Sequence, residues 1–199
     1  MPDVQTIVQL RVTLLEIEPA IWRRLLVPQS TTLADLHHII QAGFGWTDSH
    51  LHEFVIGGLR FGDPDLMEDA FEDDPRILSA ADVRLRDFGR GAEPFLYVYD
   101  FGDNWRHQVE IEERSLPEAG RKYPACIAGE RSGPPEDVGG VTGYGEFLEV
   151  FHDKAHPDHR SLRQWAGRSF GPEVFDLEKA DRAVRSAARA ARRRQAIRG

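Results

Sequence analysis

Residues Gln5 to Leu15 alternate, with Val8, Leu10, Val12 and Leu14 on one side and Gln9, Arg11 and Thr13 on the other. That period-two pattern predicts a strand with one buried face. Glu18-Pro19 turns the chain, and Ile21 to Val27 reads as its hairpin partner. Thr32, with Asp35 three residues later, is an acidic form of the capping box. Leu33, Leu36, Ile40 and Phe44 then recur at helical spacing until Gly43 and Gly45 close the helix. Extended segments on either side of Gly57-Gly58 predict a second hairpin, since tight primed turns need positive φ. A third, the clearest, pairs Phe95 to Phe101 with Trp105 to Glu112 around Gly102-Asp103-Asn104.

Other stretches lack a period. Asp63 to Asp74 holds seven acids and no base, the mark of an exposed loop. A short strand is expected near Val83 to Leu85. Pro117 to Gly145 contains seven Gly and four Pro and reads as one long connection, of a length that is usually functional or packed as an ordered loop. The C-terminal third is helical: Tyr144, Phe147, Leu148 and Phe151 share a face, Leu162, Trp165 and Ala166 mark a short helix, and a last helix begins beyond Pro172. The fold class expected is α+β, a single domain of antiparallel hairpins packed with helices.

Composition changes this picture little, and charge changes it more. At 199 residues with 41% apolar content the chain is of ordinary globular composition. The absence of a long apolar run or a basic-then-apolar start predicts no membrane partner and a cytoplasmic protein. Cys126, the single cysteine, excludes an internal disulfide and a multi-cysteine zinc site, and reads as a small buried side chain. The net charge of −8 hides a division. From Arg182 to Gly199 there are seven arginines and no acid, which leaves 18 basic against 33 acidic residues, or −15, in the rest. An acidic body with a basic extension is unlike a protein whose whole surface is built for nucleic acid.

Three long motifs carry a resemblance. Ile21-Trp22-Arg23-Arg24 through Pro28 with TLADLHHIIQAGFGWTDSHLHEF is the first, YVYDFGDNWRHQVEIE (Tyr97 to Glu112) the second, and YPACIAGERSGPPEDVGGVTGYGEFLE (Tyr123 to Glu149) the third. In this order they resemble the plasmid pRiA4b open-reading-frame-three-like family, found on plasmids and beside transposable elements. The likeness spans about residues 5 to 178 and leaves 179 to 199 as a basic Ala/Arg-rich helical tail. It implies an α+β domain and no assigned chemistry. Relatives often carry further cysteines at the positions of Gly133 and Val138, so a thiolate-rich metal site, if relatives have one, cannot be complete in this chain. Gly171, where relatives tend to have Asp, concerns a helix cap.

Candidate chemistry centres on His50, His52 and Glu53, together with Asp100, Asp103, Trp105 and His107 of the second motif. If the two hairpins are neighbours, His50, His52 and His107 form a candidate ligand set for a divalent metal, with carboxylates fixing their tautomers. The plainer alternative is core or turn histidines satisfied by carboxylates, with Asp100 and Asp103 as turn residues. Glu136 and Asp137, in Pro134-Pro135-Glu136-Asp137, present two acids that can face a cleft, cap the following helix or hold Arg131. Trp22 reads as packed under an arginine stem. Arg189, Arg192, Arg193 and Arg194 are the candidate phosphate contacts of the tail. The expected role is a binding or accessory module that meets a protein partner through the 117–145 stretch and adjacent hairpins. The alternatives are a metal-dependent hydrolase or nuclease, and an accessory DNA-binding protein acting through the tail.

Overall fold

The structure, a computed structural model, describes residues 6–66, 76–89, 93–167 and 169–198, with the backbone alone for 191–198. Strands β1 (Ile7–Leu14) and β2 (Ile21–Pro28) form the first hairpin, in register from Ile7↔Pro28 to Leu14↔Ile21. Helix α1 (Leu33–Phe44) starts where Thr32 Oγ1 accepts from the Asp35 N–H at 3.0 Å. It stops at Gly45, whose φ of 85° suits a residue without Cβ. β3 (His52–Ile56) and β4 (Leu59–Gly62) turn through Gly57 and Gly58, both at positive φ. β5 (Ile77–Ser79), β6 (Phe95–Tyr99), β7 (Trp105–Ser115) and β8 (Ala125–Glu130) follow, then α2 (Gly140–His152), α3 (His159–Trp165) and α4 (Leu177–Arg198).

The eight strands form one sheet in the order β5-β4-β3-β6-β7-β1-β2-β8, antiparallel except for β4 with β5. The fold is therefore the expected α+β domain with a helical C-terminal part. One sheet face is apolar: Val8, Leu10, Val12, Leu14, Ile21, Leu25, Phe54, Tyr97 and Val109 share a cluster with Leu36 and Ile40 of α1, Tyr144 and Phe147 of α2, and Val184 of α4. On the opposite face Arg24 makes a bidentate pair with Glu112, and the Arg11 and Arg24 guanidinia lie 4.4 and 5.3 Å from the Trp22 ring centre. Trp22 is thus packed under arginine stems, as its neighbours in sequence suggest.

Arg23, on the alternate face, is buried, 2% exposed. Its guanidinium donates to the carbonyls of Gly43, Trp22 and Glu130 at 2.7 to 2.8 Å, which ties α1 to the β2–β8 edge.

Two expectations need correction. Val83 to Leu85 does not join the sheet: Leu33 N–H bonds Val83 O and Leu85 N–H bonds Thr31 O, so the segment pairs with the entry to α1. Ile77–Ser79 makes the edge strand instead. The Pro117–Gly145 stretch is not one long connection. It contains β8, which pairs with β2 across a register shift between Arg24 and Leu25, and the start of α2. Of the acidic stretch, Pro64–Leu66 form a 3-10 turn and 67–75 lie outside the described residues.

Candidate functional site

A cleft of about 970 Å³ opens between the first turns of α1, the segment 48–52, and the end of the β4–β5 edge at 62–66 and 79–81. His37 sits four residues after Leu33, on the apolar stripe of α1, and is 1% exposed. Its Nδ1 lies 2.8 Å from the Tyr97 hydroxyl, which also accepts from Gln41 Nε2 at 2.9 Å. Burial holds the Tyr97 hydroxyl protonated, well above its usual range.

Beyond Gly45 the chain doubles back, and Gln41 Oε1 accepts the Asp48 N–H at 3.1 Å. The Asp48 carboxylate thereby meets both histidines of α1: Oδ1 is 2.5 Å from His37 Nε2 and Oδ2 is 2.9 Å from His38 Nδ1. Adjacent helical residues point about 100° apart; using the far nitrogen of one ring and the near nitrogen of the other lets both reach one acid. Burial acts to raise the Asp48 pKa, but the hydrogen bonds from His37 and His38 outweigh it and hold the carboxyl far below the usual range. His52, at the start of β3, stacks on His37 with ring centres 3.4 Å apart and planes 4° from parallel. Its Nε2 is buried without a partner, and burial followed by the neighbouring His37 pushes its pKa down to about 3. It is a neutral imidazole.

A second group lies beside the first. His50 Nε2 is 2.9 Å from Asp137 Oδ1 and 3.6 Å from Asp100 Oδ2. Asp100 also does the turn work expected of it, its Oδ1 accepting from the Gly102 and Asp103 N–H groups. Asp103 receives the Gly139 N–H at 3.2 Å, and a Cβ on Gly140 would stand 2.4 Å from Asp103 O, so the two loops touch backbone to backbone. Glu136 neither caps α2 nor holds Arg131, which pairs with Glu173. It accepts from Thr47 N–H at 3.0 Å, from Thr47 Oγ1 and from the Tyr99 hydroxyl at 2.8 Å. Trp46 is stacked against Phe44 and Tyr99 and donates its Nε1–H to Pro134 O at 2.9 Å.

The candidate set therefore divides. His50, Asp100 and Asp137 converge, with Glu136 and Asp103 fastening the loop that brings Asp137 in. The ligand set of His50, His52 and His107 is not assembled. His52 belongs to the His37 group, while β6 separates it from His107 on β7. His107 is fully buried among Phe44, Trp46 and Tyr97, with Nδ1 on Tyr97 O at 3.3 Å. Glu53 projects from the face opposite His52 and pairs with Arg60 at 2.5 Å; Trp105 is 1% exposed in the core beside Trp46. Arg189 is exposed on α4, and the side chains of Arg192, Arg193 and Arg194 lie outside the described residues. Sequence reasoning passed over His37, His38 and Asp48. The available signal was a histidine on the apolar stripe of a helix, where leucine or isoleucine is ordinary.

Among the described residues two groups have nitrogen and oxygen atoms close enough for one cation: His37, His38 and Asp48, and His50, Asp100 and Asp137, each within 4.8 Å of one another. Two imidazoles and a carboxylate match the donor set of three-ligand sites that leave a position open for water or substrate. The Tyr97 oxygen can receive the Nδ1–H of His37, the outer contact that orients a ligating imidazole.

The sequence profile of the plasmid pRiA4b ORF-3-like proteins matches residues 6–179. The chain belongs to that family. Among pRiA4b ORF-3-like relatives, the uncharacterized protein y4hQ of Sinorhizobium fredii (strain NBRC 101917 / NGR234) is 40% identical over 166 residues, 83% of this chain and 84% of that protein. The crystal structure of a protein of unknown function, MM3350 from Methanosarcina mazei Go1, superposes with a TM-score of 0.78 at 38% identity, covering 88% of this chain and 96% of that one. The pRiA4b ORF-3-like match ends at residue 179, inside the first turn of α4, and the buried Ala180 and Val184 continue the packing past it. No described helix is long and apolar enough to cross a membrane.

Proposed function

We propose that the protein is a metal-binding module that holds one divalent cation of the zinc class on His37 Nε2, His38 Nδ1 and Asp48, at the wall of the cleft. The observation that carries this reading is the single carboxylate gripping two adjacent imidazoles through separate oxygens, with a third, neutral imidazole stacked behind them. His37, His38 and Asp48 would hold the ion as three protein ligands lining the cleft, and the chemistry it would supply there is Lewis-acid activation of water or of a carbonyl or phosphoryl oxygen. Hydrolysis is the reaction class such a centre supports. A cytoplasmic setting accords with a free, buried Cys126.

Metal analysis of untagged protein, with zinc and manganese titrations followed by calorimetry, tests the reading. About one equivalent is expected in the wild type. It should be lost in His38→Ala, whose side chain is only 25% exposed but lies at the rim of α1, and in Asp48→Asn, while His50→Ala retains it. Absence of stoichiometric uptake in a folded wild type overturns the proposal. So does retention of the cation in both ligand variants.

A further inference from the structure

Arg182, Arg185 and Arg189 on α4 follow three- and four-residue spacing and so share one side of the helix. Ala180 and Val184 are buried on the other side, where α4 packs on α1 and β8. Val184 Cγ2 stands 3.9 Å from where a Cβ on Gly43 of α1 would lie. The packing thus turns the arginine row outward, and Arg182 and Arg189 are exposed.

A second source of positive charge meets this row. The connection between β7 and β8 brings Arg121 and Lys122 to a hollow of about 330 Å³ whose far wall is Arg185. Asp181 is the one acid among its lining residues, and it is already committed: Oδ1 accepts the Cys126 N–H at 3.1 Å and Oδ2 pairs with Arg185. Arg185 keeps a buried Nε without a partner, so its guanidinium gains a hydrogen bond by turning onto an incoming anion. The pairs Arg121–Glu118 and Arg182–Glu178 are exposed, a setting in which ion pairs exchange readily for a phosphate.

We propose that this face binds the phosphodiester backbone of duplex DNA, with one phosphate seated between Lys122 and Arg185 and the α4 row following the strand. A polyanion fits better than a lone phosphate because the positive charge is linear. Arg182 to Arg189 spans about 10 Å at ~1.5 Å per residue, and the helix continues through positions 192 and 193, both arginine, with no acid after Asp181. The acidic remainder of the chain repels DNA elsewhere, which fixes the side of approach. None of these residues lines the cleft around His37, so the inference stands apart from the cation reading.

The test is fluorescence anisotropy of a labelled duplex of about 20 base pairs with the full chain, from about 50 to 200 mM KCl. With five cations engaged, log K should fall linearly against log salt with a slope of about −4 to −5. Lys122→Glu combined with Arg182→Glu and Arg189→Glu, all at exposed positions, should weaken binding by about a hundredfold at the lowest salt. The same change should reduce the slope by about 3. Lys122→Arg should retain both, and circular dichroism checks that each variant is folded. The proposal fails if no duplex binds at the lowest salt, or if the triple variant keeps the wild-type affinity and slope. It also fails if inorganic phosphate displaces the duplex beyond its effect on ionic strength, for that would mark a pocket for a single anion.

Discussion

Replacing His107 with phenylalanine takes a fully buried imidazole out of the core. Burial pushes the pKa of this ring from 6.5 down to about 3, with Arg23 acting in the same direction and backbone contacts to Tyr97 and Trp105 opposing. In the unfolded chain it titrates near 6.5. Between those values the unfolded state binds more protons than the folded one. The neutral ring's contribution is therefore complete above pH 6.5 and is lost as the pH falls toward 3. At pH 5 the imbalance comes to about 2 kcal/mol for this residue, and at pH 7 to a few tenths at most. Urea unfolding of wild type and His107→Phe at both pH values reads the difference directly. The wild type should lose about 2 kcal/mol more than the variant between pH 7 and pH 5. Any packing cost of the larger ring is the same at both pH values and drops out, as does His52, which is present in both proteins. An equal loss in the two proteins would refute the buried neutral imidazole.

Three further substitutions probe the links around the site. Arg23→Lys leaves the buried Gly43 carbonyl and the part-buried carbonyls of Trp22 and Glu130 short of donors and should cost about 2 to 4 kcal/mol in urea unfolding. Arg24→Lys, which disturbs only the exposed pair with Glu112, should cost less than about 1 kcal/mol. Glu136→Ala removes the acceptor shared by Thr47 and Tyr99, so amide exchange at Thr47 should accelerate by about tenfold while amides in β1 stay protected.

The hairpins were legible in the sequence because each has a half-buried face, so the pleat writes itself as alternation. β8 was not: Ala125-Cys126-Ile127-Ala128-Gly129-Glu130 is short and small-sided, and its place is fixed by β2 and α4 rather than by its own pattern. The position of β7 between β6 and β1 depends on a long-range register that local periodicity cannot carry. At the site, His50, Asp100 and Asp137 could be picked out one by one as polar residues near turns, but their meeting point needed the Asp103–Gly139 contact. His37 and His38 were hidden inside a good amphipathic helix. Only the return of the chain at Gly45, which lays Asp48 against α1, turns two helix residues into a site.

Trp46 has a consequence of a different kind. Its indole is stacked on Tyr99, set edge-on to His107 at 5.3 Å, and hydrogen-bonded to the Pro134 carbonyl. Indole emission responds to the polarity around the ring and is quenched by a protonated imidazole in contact with it. This residue is therefore a natural fluorophore at the seam between α1, the β6–β7 hairpin and the loop that carries Asp137. Protonation of His107 or release of that loop changes its intensity and colour. Trp46's share of the emission of four tryptophans thus reports whether the seam is closed, with no attached label.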